Sequence, residues 1–348
     1  MKINDISIGS RILGVSHRPF IVAEMSGNHN GNLERAIKIV EAAADAGADA
    51  IKLQTYTADT MTLPGAFKIK DPESPWNGRE LHELYQEAFT PWEWHKPLFE
   101  KAKSLNLEYF SSPFDESAVN FLESLGVPAY KIASFENTDW PLLKKVARTK
   151  KPVIMSTGVS TLSDIDEGVR VLRENGCKDI ILLKCTSTYP ASPENSNIVS
   201  IKHMRDTFQC HIGLSDHTLG IGVAVASVSF GARFIEKHLT LSREDGGVDS
   251  SFSMEPMELK SLVIESKRAF QAIGDVHYGV QAIERKNLIY KRSIYVSDNI
   301  KKGDVFTPQN VRVIKPGYGL EPKYYEKIIG KKASQDIAKG TPLTWDIL

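Results

Sequence analysis

From residue 20 onward, short runs of apolar and β-branched residues alternate with longer stretches whose apolar positions recur every three or four residues. The first run, PFIVAEMS (19–26), is followed by LERAIKIVEAAADAGA (33–48) and then by DAIKLQTY (49–56). Short β-rich runs bounded by turn residues read as strands, and a period near 3.6 reads as an amphipathic helix. Six more strands are predicted at EYFSSP (108–113), AYKIAS (129–134), PVIMST (152–157), DIILLKC (179–185), CHIGLSDH (210–217) and FIEKHLT (234–240). Helical stretches lie between them, among them 92–105, 117–126 and 161–176, the last two ending at a glycine suited to a C-cap. Eight strands, each followed by a helix, over about 250 residues are the pattern of a TIM (β/α)8 barrel. An open doubly wound sheet does not ordinarily need eight such repeats, and no GxGxxG follows the first strand.

Two segments break the rhythm. Residues 57–91 are too long for an ordinary connection and rich in Pro, Gly and aromatics, which predicts a loop and short helix over the barrel mouth. After residue 285 the pattern changes to short strands and turns. The expected division is therefore a barrel over 1–285 and a small β-rich domain over 286–348. Within the tail, SDNIKKGDVFT (297–307) and SQDIAKGTPLT (334–344) match at a spacing of 37 residues, which implies a duplicated module. So few residues can barely bury a core alone, so the module is expected to pack on a barrel, its own or a partner's.

Composition narrows the class. The 348 residues are 41% hydrophobic, which is globular, and 43 basic side chains balance 43 acidic ones. No global basic excess favours nucleic acid or an anionic membrane, so any anion site must be local. No stretch approaches the roughly 18 uninterrupted apolar residues of a membrane span, and MKINDISIGSRILG carries no apolar core of a leader; the expected compartment is the cytoplasm. Cys177, Cys185 and Cys210 lack CxxC spacing and are expected as reduced, buried thiols.

In a TIM barrel the chemistry projects from the C-terminal strand ends. Those ends read Glu24; Lys52 and Gln54; Ser111 and Ser112; Lys131, Ser134 and Glu136; Ser156; Lys184, Ser187 and Tyr189; Ser215, Asp216 and His217; and His238. Lysines inside apolar strands are costly unless partnered. Lys52 and Lys131 therefore read either as partners of barrel glutamates or, with the serine hydroxyls, as the cradle of a small dianion. His217 and His238, at successive strand ends, suit one divalent ion with open positions, such as Mn²⁺ or Mg²⁺, better than a closed structural zinc site. Asp216 either orients a ligand or caps a helix starting near Thr218. Glu24 is a candidate general acid or base, or the buried partner of a lysine. His29 and Asn30 are substrate contacts or turn residues.

These stretches resemble the sialic acid synthase family, which joins a phosphoenolpyruvate-using barrel to a small antifreeze-like (SAF) domain. The resemblance rests on AEMSGNHNGN (23–32), GADAIKLQTYTADTMT (47–62), SSPFD (111–115), PAYKIASFE (128–136), STG (156–158), LSDHTLG (214–220) and EKHLT (236–240), and covers nearly the whole chain. SGNHN, TPWEWH (90–95) and above all SREDGGVDSSFSMEP (242–256) look like its pseudaminic acid branch, and RSIYV (292–296) and KPGYGL (315–320) look like the SAF domain. The resemblance implies that His217 and His238 bind the metal, and that Lys52, Lys131, Ser134, Ser156 and Ser215, with Ser112 and Ser187, hold phosphoenolpyruvate. It further implies that Glu24 and Glu136 handle proton transfer and water activation, and that Gln54, Tyr189 and Asp249 face the sugar.

Two positions depart from the family pattern. Ser187 stands where the sialic acid branch usually has asparagine, and Lys315 where relatives carry arginine, which keeps the charge and loses the bidentate fork. In the family this tail loop reaches the other subunit's active site, which implies a domain-swapped homodimer. The implied partners are phosphoenolpyruvate and an amino-sugar aldehyde: the 2,4-diacetamido-2,4,6-trideoxy sugar of pseudaminic acid synthesis, or else N-acetylmannosamine or a legionaminic acid precursor. A phosphorylated aldose would need a second basic cluster at the strand ends, and none is legible.

Overall fold

A computed structural model describes residues 3–72, 74 and 76–348. Contacts divide the chain into two units, Met1–Gly274 and Asp275–Leu348, so the expected division at 285/286 falls inside the second unit.

The first unit is a closed barrel of eight parallel strands: β1 (Phe20–Glu24), β2 (Ala50–Thr55), β3 (Glu108–Pro113), β4 (Tyr130–Ile132), β5 (Val153–Ser156), β6 (Ile180–Cys185), β7 (His211–Ser215) and β8 (Phe234–His238). β8 closes on β1, pairing His238 with Glu24 and Glu236 with Val22. The helices are α1 (Leu33–Ala46), α2 (Leu81–Ala88), α3 (Trp92–Ser104), α4 (Glu116–Ser124), α5 (Trp140–Ala147), α6 (Leu162–Glu174), α7 (Ser200–Phe208), α8 (Gly222–Ser229) and α9 (Pro256–Ile273). All but α2 form the outer ring. Side-chain caps start several of them: Asn32 accepts from Arg35 N, Asp115 from Ser117 N and Ala118 N, and Thr161 from Asp164 N. The predicted helix near Thr218 begins instead at Gly222. Asp216 does not cap it but folds the loop ahead of it, accepting from Thr218 N at 3.0 Å.

Alternation along the strands sorts the interior by height. Phe20, Val22, Ala50, Phe110, Ile154 and Phe234 form a dry lower layer, closed from below by Ile6, Ile8 and Leu13 of an N-terminal hairpin (Ile6–Ile8 with Arg11–Leu13). One or two steps further along the same strands the positions become Glu24, Lys52, Ser112, Ser156 and Glu236. A larger apolar cluster packs the outer faces of the strands against the helix ring. Between β2 and α3 the long segment carries a short helix (Ala58–Met61) and α2, and Trp76 Nε1 donates to the Val248 carbonyl at 3.2 Å, spanning the mouth as predicted.

The second unit has its own core, including Ile294, Ile300, Phe306, Val311, Ile337 and Leu343, around β9 (Ser293–Val296) and β10 (Val311–Ile314). The duplication is visible as exchanged bonds. Ile300 and Ile337 bond each other's backbones, while Lys302 N donates to Asp336 Oδ1 and Lys339 N donates to Asn299 Oδ1, both at 2.8 Å. Each partner lies 37 residues from its counterpart, so the two copies pack about a local two-fold. Among the described residues no helix is long and apolar enough to cross a membrane.

Phe234 stacks on Phe20 at 5.4 Å between ring centres, in the driest part of the barrel. Phe234→Ala is expected to cost about 3–5 kcal/mol through lost transfer energy and an unfilled cavity, read as a lowered denaturation midpoint in urea.

Candidate active site

Four charges meet inside the upper barrel. Lys52 Nζ lies 2.6 Å from Glu24 Oε2 and 3.5 Å from Glu236 Oε1, and Lys131 Nζ lies 3.9 Å from the same Glu236 oxygen. All four side chains are at most 5% exposed. Serines complete the lysines' shells: Lys52 donates to Ser112 Oγ at 3.1 Å and Lys131 to Ser156 Oγ at 2.7 Å. The two alternatives for the lysines thus coincide, since the serines expected around an anion and the glutamates expected as counter-charges occupy one cluster. Glu236 is missing from the sequence expectations. It stands two residues before His238, so the strand period of two alone puts it on the inner face.

Burial sets the protonation of the carboxyls. It pushes Glu24 up to about 7, Lys52 pulling down and Glu236 pushing up. It also pushes Glu136 up to about 7, against the downward pull of Lys131. One oxygen of Glu136 is buried without a hydrogen-bond partner, while the residue lines the cavity above the charges. A carboxylate with a free lone pair and a value near neutrality is suited to taking a proton from water.

The cavity holds about 680 Å³, large enough for a small sugar. Gln54, Glu136, Ser187, His238 and Asp249 are part of its polar lining, with Ser26, Asp71, Ser74 and Thr188. Ser134, Ser156 and Ser215 are buried in the strand-end layer, and Ser134 Oγ accepts from Gly158 N at 3.2 Å. A Cβ on Gly158 would stand 2.1 Å from Ser187 Oγ and 2.7 Å from Ser134 Oγ, so only glycine lets this loop close over the serines. Ser111 faces outward instead, in a buried network with Thr55 Oγ1 (2.6 Å) and, through it, His95. Lys315 is exposed on the second unit.

The rings of His217 and His238 lie 5.3 Å apart, with Tyr189 4.5 Å from His217 and Phe252 5.1 Å from His238. His217 Nδ1 stands 3.0 Å from the Thr186 carbonyl; as the donor it leaves Nε2 with a lone pair. Burial, with the cations of Lys52, Lys131 and Lys237 nearby, holds His238 well below its ordinary value, and its Nδ1 is buried without a partner. Burial opposes a charge on His217, but Cys185, the Thr186 carbonyl and Asp216 hold it above its ordinary value, so an ion would displace a proton there. With neutral His238, and with no third His, Cys, Asp or Glu grouped with them among the described residues, it fits an open divalent-ion site. Cys185, expected as an inert thiol, lies 4.0 Å from His217 Nδ1; burial opposes its ionisation, but His217 brings it down to about 7.

A second buried ion pair, unseen in the sequence, sets the loop that carries His217. Lys237 points away from the barrel axis and donates to Asp216 Oδ2 (2.8 Å), the Thr218 carbonyl (2.6 Å) and the Gly220 carbonyl (3.0 Å). The turn after β1 is tied to the segment after β8 at alternate residues: Ser26 to Asp249, Asn28 to Ser253 (2.8 Å) and Asn30 to the Gly246 carbonyl (3.1 Å). Asn30, at φ +50°, is therefore a turn residue that also makes a tie. His29 is fully buried against Trp94, and burial lowers it to about 4, which makes it structural.

Residues 39–278 match the NeuB family and 291–348 match the SAF domain. The chain is 43% identical to the pseudaminic acid synthase of Campylobacter jejuni over 93% of its own length and 95% of that protein's. It is 36% identical to the N,N'-diacetyllegionaminic acid synthase of the same organism, over 92% and 97%. Among solved structures it is similar to the N-acetylneuraminic acid synthetase of Leptospira borgpetersenii, crystallised with citrate: TM-score 0.74, 32% identity, over 82% of this chain and 96% of that one.

Lys237→Met leaves the Asp216 carboxylate buried and unpaired. A loss of about 3–5 kcal/mol is expected, measured as a fall in the denaturation midpoint, with Lys237→Met/Asp216→Leu recovering part of it.

Proposed function

The chain belongs to the NeuB family, and from that premise we propose that it condenses phosphoenolpyruvate with 2,4-diacetamido-2,4,6-trideoxy-L-altrose and water, giving pseudaminic acid and phosphate. It is an enzyme of carbohydrate biosynthesis. The observation that carries the choice of sugar is the threefold tie between the SGNHN turn and the segment 246–253. Two of the stretches that look like the pseudaminic branch thereby form one wall of the mouth.

In this reading Lys52 and Lys131 neutralise phosphoenolpyruvate, and Ser112, Ser134, Ser156, Ser187 and Ser215 donate directional hydrogen bonds to its oxygens. Gln54, Tyr189 and Asp249 orient the sugar. His217 and His238 hold the divalent ion, which when bound supplies Lewis-acid polarisation of the aldehyde oxygen. Formally, two lysines and two glutamates cancel before substrate arrives. The anionic phosphate and carboxylate then make the cluster negative, which favours the protonated form of Glu24. That proton neutralises the alkoxide formed when C3 of phosphoenolpyruvate attacks the aldehyde carbon. Glu136 takes a proton from the water that attacks C2, and the tetrahedral intermediate then expels phosphate by C–O cleavage.

Lys315 enters the proposal as a sugar contact supplied by a second copy in a domain-swapped homodimer. Val276, Tyr278 and Ile283 on the second unit are more than 75% exposed, an apolar surface that a second copy would cover.

Phosphate release from phosphoenolpyruvate with Mn²⁺ is expected with the 6-deoxy diacetamido altrose, and mass spectrometry should find the nine-carbon acid. Faster turnover of N-acetylmannosamine would assign the chain to the sialic acid branch, and no phosphoenolpyruvate consumption with any aldose would sink the synthase. With Glu136 near 7 and active when ionised, kcat/KM should fall as pH drops below about 7. Glu136→Gln should lower kcat by roughly 10²–10⁴-fold and remove that ionisation from the pH profile.

A further inference from the structure

The cavity has two unlike walls. The polar one carries His238, Gln54, Glu136, Ser187 and Asp249. Across the mouth, α2 presents Leu81, Leu84, Tyr85 and Ala88, a spacing of three, four and seven that puts all four on one helix face, and all four line the cavity. The remaining α2 side chains, His82, Glu83, Gln86 and Glu87, are charged or polar, so the helix turns its one apolar face inward. Ile69, from the same segment, extends the wall, and Asp71 and Ser74 of that segment also line the cavity.

This face is held in place. The glycine at 27 brings the turn after β1 against Ala88, where an added Cβ would lie 3.3 Å from the alanine's own. Tyr85 packs edge-on against Tyr56 at 5.7 Å, and the Glu80 carboxylate caps the helix by accepting from Glu83 N at 2.8 Å. At the other end of the segment Trp76 bonds the Val248 carbonyl. The wall is thus anchored to both sides of the barrel mouth.

We propose that the α2 face, Leu81 above all, together with Ile69, is the specificity element that selects a sugar lacking a hydroxyl at C6. The inference rests on the function proposed above. A sugar whose aldehyde is directed to His238 and whose polar groups meet Gln54 and Asp249 turns its remaining end toward α2. A methyl group there is removed from water against leucine and isoleucine. A C6 hydroxyl packed against α2 and Ile69 would lose its water and meet the Tyr85 phenol as the one polar group of the α2 face, the other polar lining of this segment being Asp71 and Ser74. An apolar surface discriminates against an added hydroxyl by at most about a hundredfold, so preference for the deoxy sugar is expected to be about 10–100-fold.

The test is kcat/KM for 2,4-diacetamido-2,4,6-trideoxy-L-altrose, for its 6-hydroxy counterpart and for N-acetylmannosamine, in the wild type and in Leu81→Asn, Leu81→Met and Ile69→Thr, each with its Tm. Ile69 and Leu81 are only half-buried, so Ile69→Thr keeps the test open if Leu81→Asn does not fold. Leu81→Asn and Ile69→Thr are expected to cut the preference about tenfold, chiefly by slowing the deoxy sugar, while Leu81→Met retains it. Parallel losses for both diacetamido sugars in the variants, a variant ratio equal to the wild type's, or a wild type that does not prefer the deoxy sugar to its 6-hydroxy counterpart would overturn the wall alone. A wild type that prefers N-acetylmannosamine to both diacetamido sugars would overturn the assigned substrate as well.

Discussion

Everything at the mouth of this barrel depends on neutralising two lysines inside it. An ammonium out of water is tolerable only beside an opposite charge, and Lys52 and Lys131 find theirs in Glu24 and Glu236, on the neighbouring strands β1 and β8. The cluster sits at one height because barrel register puts Glu24 beside Lys52 and beside His238. Below it the interior is apolar and sealed by the N-terminal hairpin, so the charges have no lower route to water. Above it opens the cavity. The ion cluster is therefore both the polar roof of the core and the floor of the site.

That dual role explains why two carboxyls stand near neutrality. Glu24 is raised by burial and by its neighbour Glu236, and Glu136 by burial and by Asp139 against the pull of Lys131. Both are poised to change protonation when an anion arrives or water is deprotonated, which a fully solvated carboxylate near pH 4 does not do. The outer pair Lys237–Asp216 has a different task. It points away from the barrel axis, takes no part in lining the cavity above the charges, and fixes the two residues that flank His217.

The mouth is assembled from segments far apart in the chain. The turn at 26–30, the span carrying α2 and the loop at 246–253 are joined by side-chain bonds that only make sense together. The ties bring together SGNHN and SREDGGVDSSFSMEP, two of the stretches in which the chain looks like the pseudaminic acid branch. They are two halves of one wall.

The sequence by itself determined the barrel, because eight alternations of strand and helix periodicity admit few other closed arrangements. It also determined that the strand ends are polar, and the 37-residue repeat marked a duplicated module, within which the structure pairs Lys302 with Asp336 and Lys339 with Asn299. Periodicity is a local property, so all of this could be read locally. What only the tertiary structure decided is which of those polar residues face one another. Ser111 turned outward while Ser112 turned in, Asp216 found Lys237 rather than a helix, and Glu236 joined the lysines from a strand singled out only for His238. Those outcomes depend on strand phase and barrel register. A one-residue change of phase exchanges the inner and outer faces, and only closure of β8 on β1 fixes it.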